Sequence, residues 1–143
     1  MAHTTIHHEE QMLQAHPRGS MLDRQALLTC LQACLDCAQT CVSCADACSA
    51  ESDPKMLARC IRLNNDCADL CAATARILSR QTEPDAAVIR AAVDACATAC
   101  AACAKECEQH ARQMKMEHCR ICAEACRACE TACRSLATAK ATA

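Results

Sequence analysis

A chain of 143 residues has room for one domain built on one core. It contains no Phe, Trp or Tyr and carries a net charge of −2. Base stacking on aromatics is therefore excluded, and nothing pulls the chain electrostatically toward nucleic acid or an anionic membrane. Its 18 cysteines match the density of disulfide scaffolds in short secreted chains. However, the opening MAHTTIHHEEQMLQAHPRG is polar and His-rich rather than a signal peptide. There is also no uninterrupted apolar run long enough to cross a bilayer. The expected compartment is the cytosol, where thiols stay reduced and dense cysteine means metal or redox chemistry.

Residues 1–19 hold His3, His7, His8 and His16 and predict a short helix over Ile6 to Ala15. This segment reads either as a solvated tail or as a His-rich flap near a metal entrance. His16-Pro17-Arg18-Gly19 breaks the segment from the remainder of the chain. Ser20 and Asp23 resemble a capping pair, so the first bundle helix should run from about Met21 to Ser49. Within it lies CLQACLDCAQTCVSCADAC, whose cysteines (Cys30, Cys34, Cys37, Cys41, Cys44, Cys48) alternate steps of four and three. That alternation is the pattern of the 3.5-residue seam repeat, so all six sulfurs form one stripe.

Ser52-Asp53-Pro54 signals the next start, a capping residue before proline at the first helical position, and this helix should run to about Arg80. Cys60, Cys67 and Cys71 keep the rhythm if Asn64 takes the missing rung. Thr82-Glu83-Pro84-Asp85 repeats the device for a helix from Pro84 to about Ala111, carrying Cys96, Cys100, Cys103 and Cys107. The same steps then reach His110 and Met114. No Gly or Pro marks the last turn, which is placed within Arg112 to Met116 because the stripe changes phase there. The final helix, Glu117 to about Ala137, carries Cys119, Cys122, Cys126, Cys129 and Cys133, with Leu136 on the next rung.

The fold expected is all-α, an up-down-up-down four-helix bundle with a short N-terminal helical segment. Residues 20–138 form the bundle, 1–19 the His-rich segment and 139–143 a tail. Antiparallel order gathers Cys48, Met56, Cys60, Cys107, His110, Met114, Met116, His118 and Cys119 at one end. Leu27, Leu28, Ile77, Leu78, Val88, Ile89, Val93 and Leu136 collect at the other as an aliphatic plug.

Cysteines one turn apart have Cβ atoms about 5 to 6 Å apart, close to the roughly 4.6 Å between two thiolates across a linear metal. Thiolate and thioether donors favour Cu(I), zinc or iron–sulfur clusters over hard cations. With one thiolate per Cu(I) the array is neutral, on the order of 18 ions per chain, whereas isolated zinc tetrathiolates would each bury two negative charges. The C-x-x-C units lie in continuous helix without the loop or following proline of ferredoxins, and without the strand that precedes a thioredoxin motif. The reading is a Cu(I) store rather than an enzyme, with a zinc or general soft-metal thiolate buffer as the alternative. A dithiol redox enzyme would need one distinguished cysteine beside a base, and a structural bundle would use leucine at these rungs.

The ladder, above all EHCRICAEACRACETAC (Glu117 to Cys133), resembles the cytosolic bacterial copper-storage proteins over roughly residues 21 to 137. That resemblance implies an interior lined by the 18 cysteines and filled with Cu(I), a homotetramer, and histidines at the end where copper enters, matched by His110 and His118. Met114 and Asn64 join the candidate ligands. A copper chaperone is a candidate donor, and neither nucleic acid nor membrane is expected as a partner.

Overall fold

The computed structural model describes residues 7–20 and 22–139, so His3, the expected helix start at Met21 and the last four tail residues lie outside the described residues. The elements are α1 (His8–Ala15), α2 (Arg24–Ser49), a 3-10 turn (Pro54–Leu57), α3 (Ala58–Ser79), α4 (Ala86–Met114) and α5 (Glu117–Thr138). Each long helix packs against its two neighbours in the cycle α2, α3, α4, α5, leaving the diagonals apart. The molecule is thus the expected antiparallel four-helix bundle, with an axial space that only side chains fill.

The caps explain where the helices start. Asp23, not Ser20, caps α2, its Oδ1 accepting from the Ala26 amide at 2.8 Å. Ser20 instead bonds the Leu22 backbone and the Gln81 side chain. Asp85 caps α4 by accepting from the Val88 amide at 3.0 Å, so Pro84 precedes the helix rather than opening it. Asp53 makes no side-chain cap, and Pro54 starts a 3-10 turn that leads into α3 at Ala58. The α4–α5 turn falls inside its expected window: α4 ends at Met114, and Lys115 turns the chain with a left-handed φ of 53°.

All 18 cysteines are buried and reduced. Toward the plug each stripe changes from sulfur to aliphatic without losing step, with Leu27 before Cys30, Thr74 and Leu78 after Cys71, Ile89 and Val93 before Cys96, and Leu136 after Cys133, all buried. Val88 is exposed and Ile77 only partly buried, so neither is a central plug residue. Two helices, α2 and α4, turn out to be long and apolar enough by composition to span a membrane. The absence of an unbroken apolar run missed this, because their apolar residues recur with the helical period and supply the core face. On the outside, Arg127 of α5 grips Glu108 of α4 at 2.8 and 3.0 Å and also bonds Glu130, clamping the two helices together.

The N-terminal segment corrects one expectation. Leu13 of α1 is buried in the common core, Gln32 donates to Glu9 at 3.2 Å, and His16 bonds Thr82 at 3.2 Å. Segment α1 therefore lies toward the plug end, and His7, His8 and His16 are not a flap over the His/Met mouth. Its one buried apolar residue seats against the aliphatic end, which a purely polar tail could not do.

Lys115 is an L-residue in a conformation that costs about 1–2 kcal/mol without glycine. Lys115→Gly should stabilise the protein by about 0.5–1 kcal/mol net of the unfolded-state entropy, read as a rise in the denaturation midpoint. No gain would mean that this turn is not strained.

Candidate metal centre

Four helices carrying one sulfur stripe each produce a stack of thiols around one axis. Several sets of four have all their Sγ atoms within 4.8 Å of one another. Four such sets share no member: Cys34, Cys96, Cys129, Cys133; Cys37, Cys67, Cys71, Cys100; Cys41, Cys103, Cys122, Cys126; and Cys44, Cys60, Cys107, Cys119. Only Cys30, at the plug, and Cys48, at the mouth, stand outside this tiling. They are tied to it by Cys133 at 3.6 Å and Cys60 at 3.9 Å.

Contacts run across the diagonals as well as between neighbours. Cys34 of α2 reaches Cys96 of α4, and Cys71 of α3 reaches Cys129 of α5, both at 3.9 Å. Such spacings are slightly below the roughly 4.6 Å of two thiolates on a linear ion, so inserting a metal needs little backbone movement.

The thiols donate to and accept from one another, and this spreads their acidities. Hydrogen bonds with Cys103, Cys119 and their neighbours pull Cys107 below the ordinary thiol range. Bonds with Cys107 push Cys44 above it, and bonds with Cys103 do the same to Cys126. At the rim, Cys48 is pushed up to about 11, first by burial and then by charge on Cys119. A metal taken by Cys48 at neutral pH must therefore displace a proton.

At the mouth the structure brings His118 onto this array. Its Nδ1 lies 3.5 Å from Cys44, 3.6 Å from Cys119 and 4.0 Å from Cys48, while its Nε2 meets the Glu51 carboxylate at 2.9 Å. With the carboxylate holding Nε2–H, Nδ1 offers its lone pair to the sulfurs, as in carboxylate–histidine–metal arrangements. His110 shares only the carboxylate half of this arrangement. Its ring is buried, Nε2 is 3.5 Å from Glu106, and Nδ1 has no hydrogen-bond partner among the described residues. Arg59 holds the other Glu106 oxygen at 3.4 Å.

Met114 ends α4 38% exposed, and Met56 is 62% exposed, so both flank the mouth rather than enter the sulfur stack. Asn64 is fully buried and occupies the missing α3 rung, touching Cys60, Cys107, Cys103 and Cys122. Sequence reasoning missed Glu51 and Glu106. Glu106 lies one turn before His110 and could have been read as its partner, whereas Glu51 meets His118 only through the tertiary fold.

The chain matches the family model "copper storage protein" over residues 23–138. It is similar to the copper storage protein Ccsp from Streptomyces lividans loaded with 10 copper equivalents: 50% identity over 90% of this chain and 97% of that one, TM-score 0.86. A structure of copper loading to a cytosolic copper storage protein from S. lividans, with five coppers, is 55% identical over 79% of this chain and 92% of that one, TM-score 0.76. A Cu(I)-bound copper storage protein, BsCsp3, is 34% identical over 79% and 99%, TM-score 0.69. No curated protein sequence matches the chain.

Burial alone predicts the thiols' reactivity. All 18 should titrate with a thiol reagent in denaturant. In the native reduced protein they should react at least about a thousandfold more slowly, because each waits for local opening. A fast native fraction would mean that some stripe faces solvent.

Proposed function

The chain belongs to the copper storage protein family, and on that basis we propose that it takes up Cu(I) in the cytosol and holds many ions on the thiolates of its interior. Copper storage is its function, and copper, the metal in the related structures, takes the place of the zinc alternative. The physical reason is charge: each Cu(I) replaces one thiol proton, so a filled tube carries no net charge into a region sealed from water. The observation that carries the reading is the burial of every cysteine on one axis.

In this reading Cu(I) arrives at His118 and His110, with Met114 as a thioether at the rim, and passes to Cys48, Cys119, Cys60 and Cys107. It then moves to Cys44, Cys41, Cys103, Cys122 and Cys126, with Asn64 among them. The inner positions are Cys37, Cys67, Cys71 and Cys100, then Cys34, Cys96, Cys129, Cys133 and Cys30. Each step trades one metal–sulfur bond for another, so no ion is bare. Glu51 and Glu106 keep the imidazole lone pairs turned toward the metal. No residue is assigned a catalytic role. A homotetramer of these bundles, fed by a copper chaperone, is the assembly we propose, with residues 20–138 as the storage unit and 1–19 as an appendage of the closed end.

Titrating reduced protein with Cu(I) against a competing chelator should show uptake approaching one ion per cysteine, on the order of 18 per chain. Saturation below about four ions would remove storage as the function. His118→Ala and Glu51→Ala should each slow transfer from a chelated donor by about tenfold or more. Transfer at the wild-type rate would take the His118–Glu51 pair off the route.

A further inference from the structure

Cys48 and Cys60 differ from the other thiols in where they sit on their helices. Among the sulfur–sulfur hydrogen bonds of the described residues, theirs, at 3.9 Å, is the one in which both cysteines occupy a terminal turn. Cys48 lies in the last turn of α2, which ends at Ser49, and Cys60 in the first turn of α3, which begins at Ala58. Helix ends open at lower cost than helix middles. These two backbones can therefore shift enough to bring the sulfurs to bonding distance, about 2.05 Å, while deeper pairs are held within their helices. Cys48 also stands outside the four-thiol tiling, so it is the surplus thiol of the rim.

Beside this pair the mouth offers donors of a different kind. The His118 ring turns Nδ1 toward the sulfurs, 4.0 Å from Cys48, and Nε2 toward Glu51 at 2.9 Å. Both side chains reach solvent, His118 at 24% and Glu51 at 36% exposure. His110 adds a buried Nδ1 with no partner among the described residues, and Glu106 adds a second carboxylate. Thiolate and thioether suit Cu(I), whereas imidazole nitrogen and oxygen donors also suit Cu(II). An oxidised ion reaching this rim meets nitrogen and oxygen first and thiols directly behind them.

We propose that the mouth also reduces Cu(II), with Cys48 and Cys60 as the electron donors. Two Cu(II) ions take one electron each. The two thiols release their protons to solvent, and their sulfurs join as a disulfide between Cys48 and Cys60. The two Cu(I) products pass inward to the thiols that remain, so electrons, protons and sulfur all balance. Two molecules of a low-molecular-weight cytosolic thiol then reopen the disulfide by exchange, leaving as their own disulfide and restoring the pair. This rests on the storage reading and adds to it a second oxidation state that the rim accepts.

The test uses the whole reduced, metal-free protein, without oxygen, and cupric sulfate at two equivalents per chain. The paramagnetic resonance signal of Cu(II) should vanish, two of the 18 thiols should be lost, and a non-reducing peptide map should find the peptides of Cys48 and Cys60 joined. A Cu(I)-specific chelator should then recover both ions as Cu(I). Cys48→Ser should lose the Cu(II) signal at least about tenfold more slowly, because Cys60 then has no partner in a terminal turn. A persistent Cu(II) signal with every thiol intact would overturn the proposal. So would a disulfide between other cysteines in the wild type, or an unchanged rate in Cys48→Ser. These results defeat only the reduction if the same preparation still takes up Cu(I), whereas saturation below about four Cu(I) ions defeats the storage reading itself. The wild-type peptide map decides the pair whether or not the variant folds.

Discussion

Everything in this bundle depends on putting the smallest polarizable side chain where a bundle ordinarily puts leucine. A thiol fills less volume and buries less apolar area, so the four helices come together over a core whose cohesion is modest. What that core loses in packing it gains as donor atoms: one stripe from each helix converges on the axis, and Sγ atoms meet their neighbours at 3.6 to 4.0 Å. The same atoms are both the fold's interior and its cargo hold, which ties stability to metal content through simple mass action.

Charge then decides what the hold accepts. A buried thiolate without a partner is expensive, and a divalent ion shared by four thiolates leaves two negative charges in place. A monovalent soft ion balances each sulfur it meets. The surface has no part in this: its ion pairs, such as Arg62 with Asp66 and Arg120 with Glu117, are exposed side chains within a turn of one another on a single helix. The Arg127 clamp differs in joining α4 to α5, beside the mouth-to-plug seam.

The four stripes, the antiparallel order, the open and plugged ends and the missing rung at Asn64 were all legible in the sequence. A 3.5-residue repeat of one residue type has only one structural solution when four copies share a short chain. Helix starts were less legible. Ser20 and Thr82-Glu83-Pro84 carry the right residue types for caps, but Asp23 and Asp85 outcompete them as acceptors for the first free amides. The position of α1 was not legible at all, since its histidines suggested the mouth whereas its single buried leucine chose the plug. Glu51 stayed hidden because its link to His118 spans 67 residues and exists only once the bundle has closed.

The sealed end has a consequence for how the contents are used. Leu27, Thr74, Val93 and Leu136 close the axis below Cys30 and Cys133, and Gln81 bonds the Leu78 carbonyl and Ser20 beyond them. A vessel with one opening behaves as a stack. Ions held nearest the rim would be the first to exchange, and those at the bottom the last.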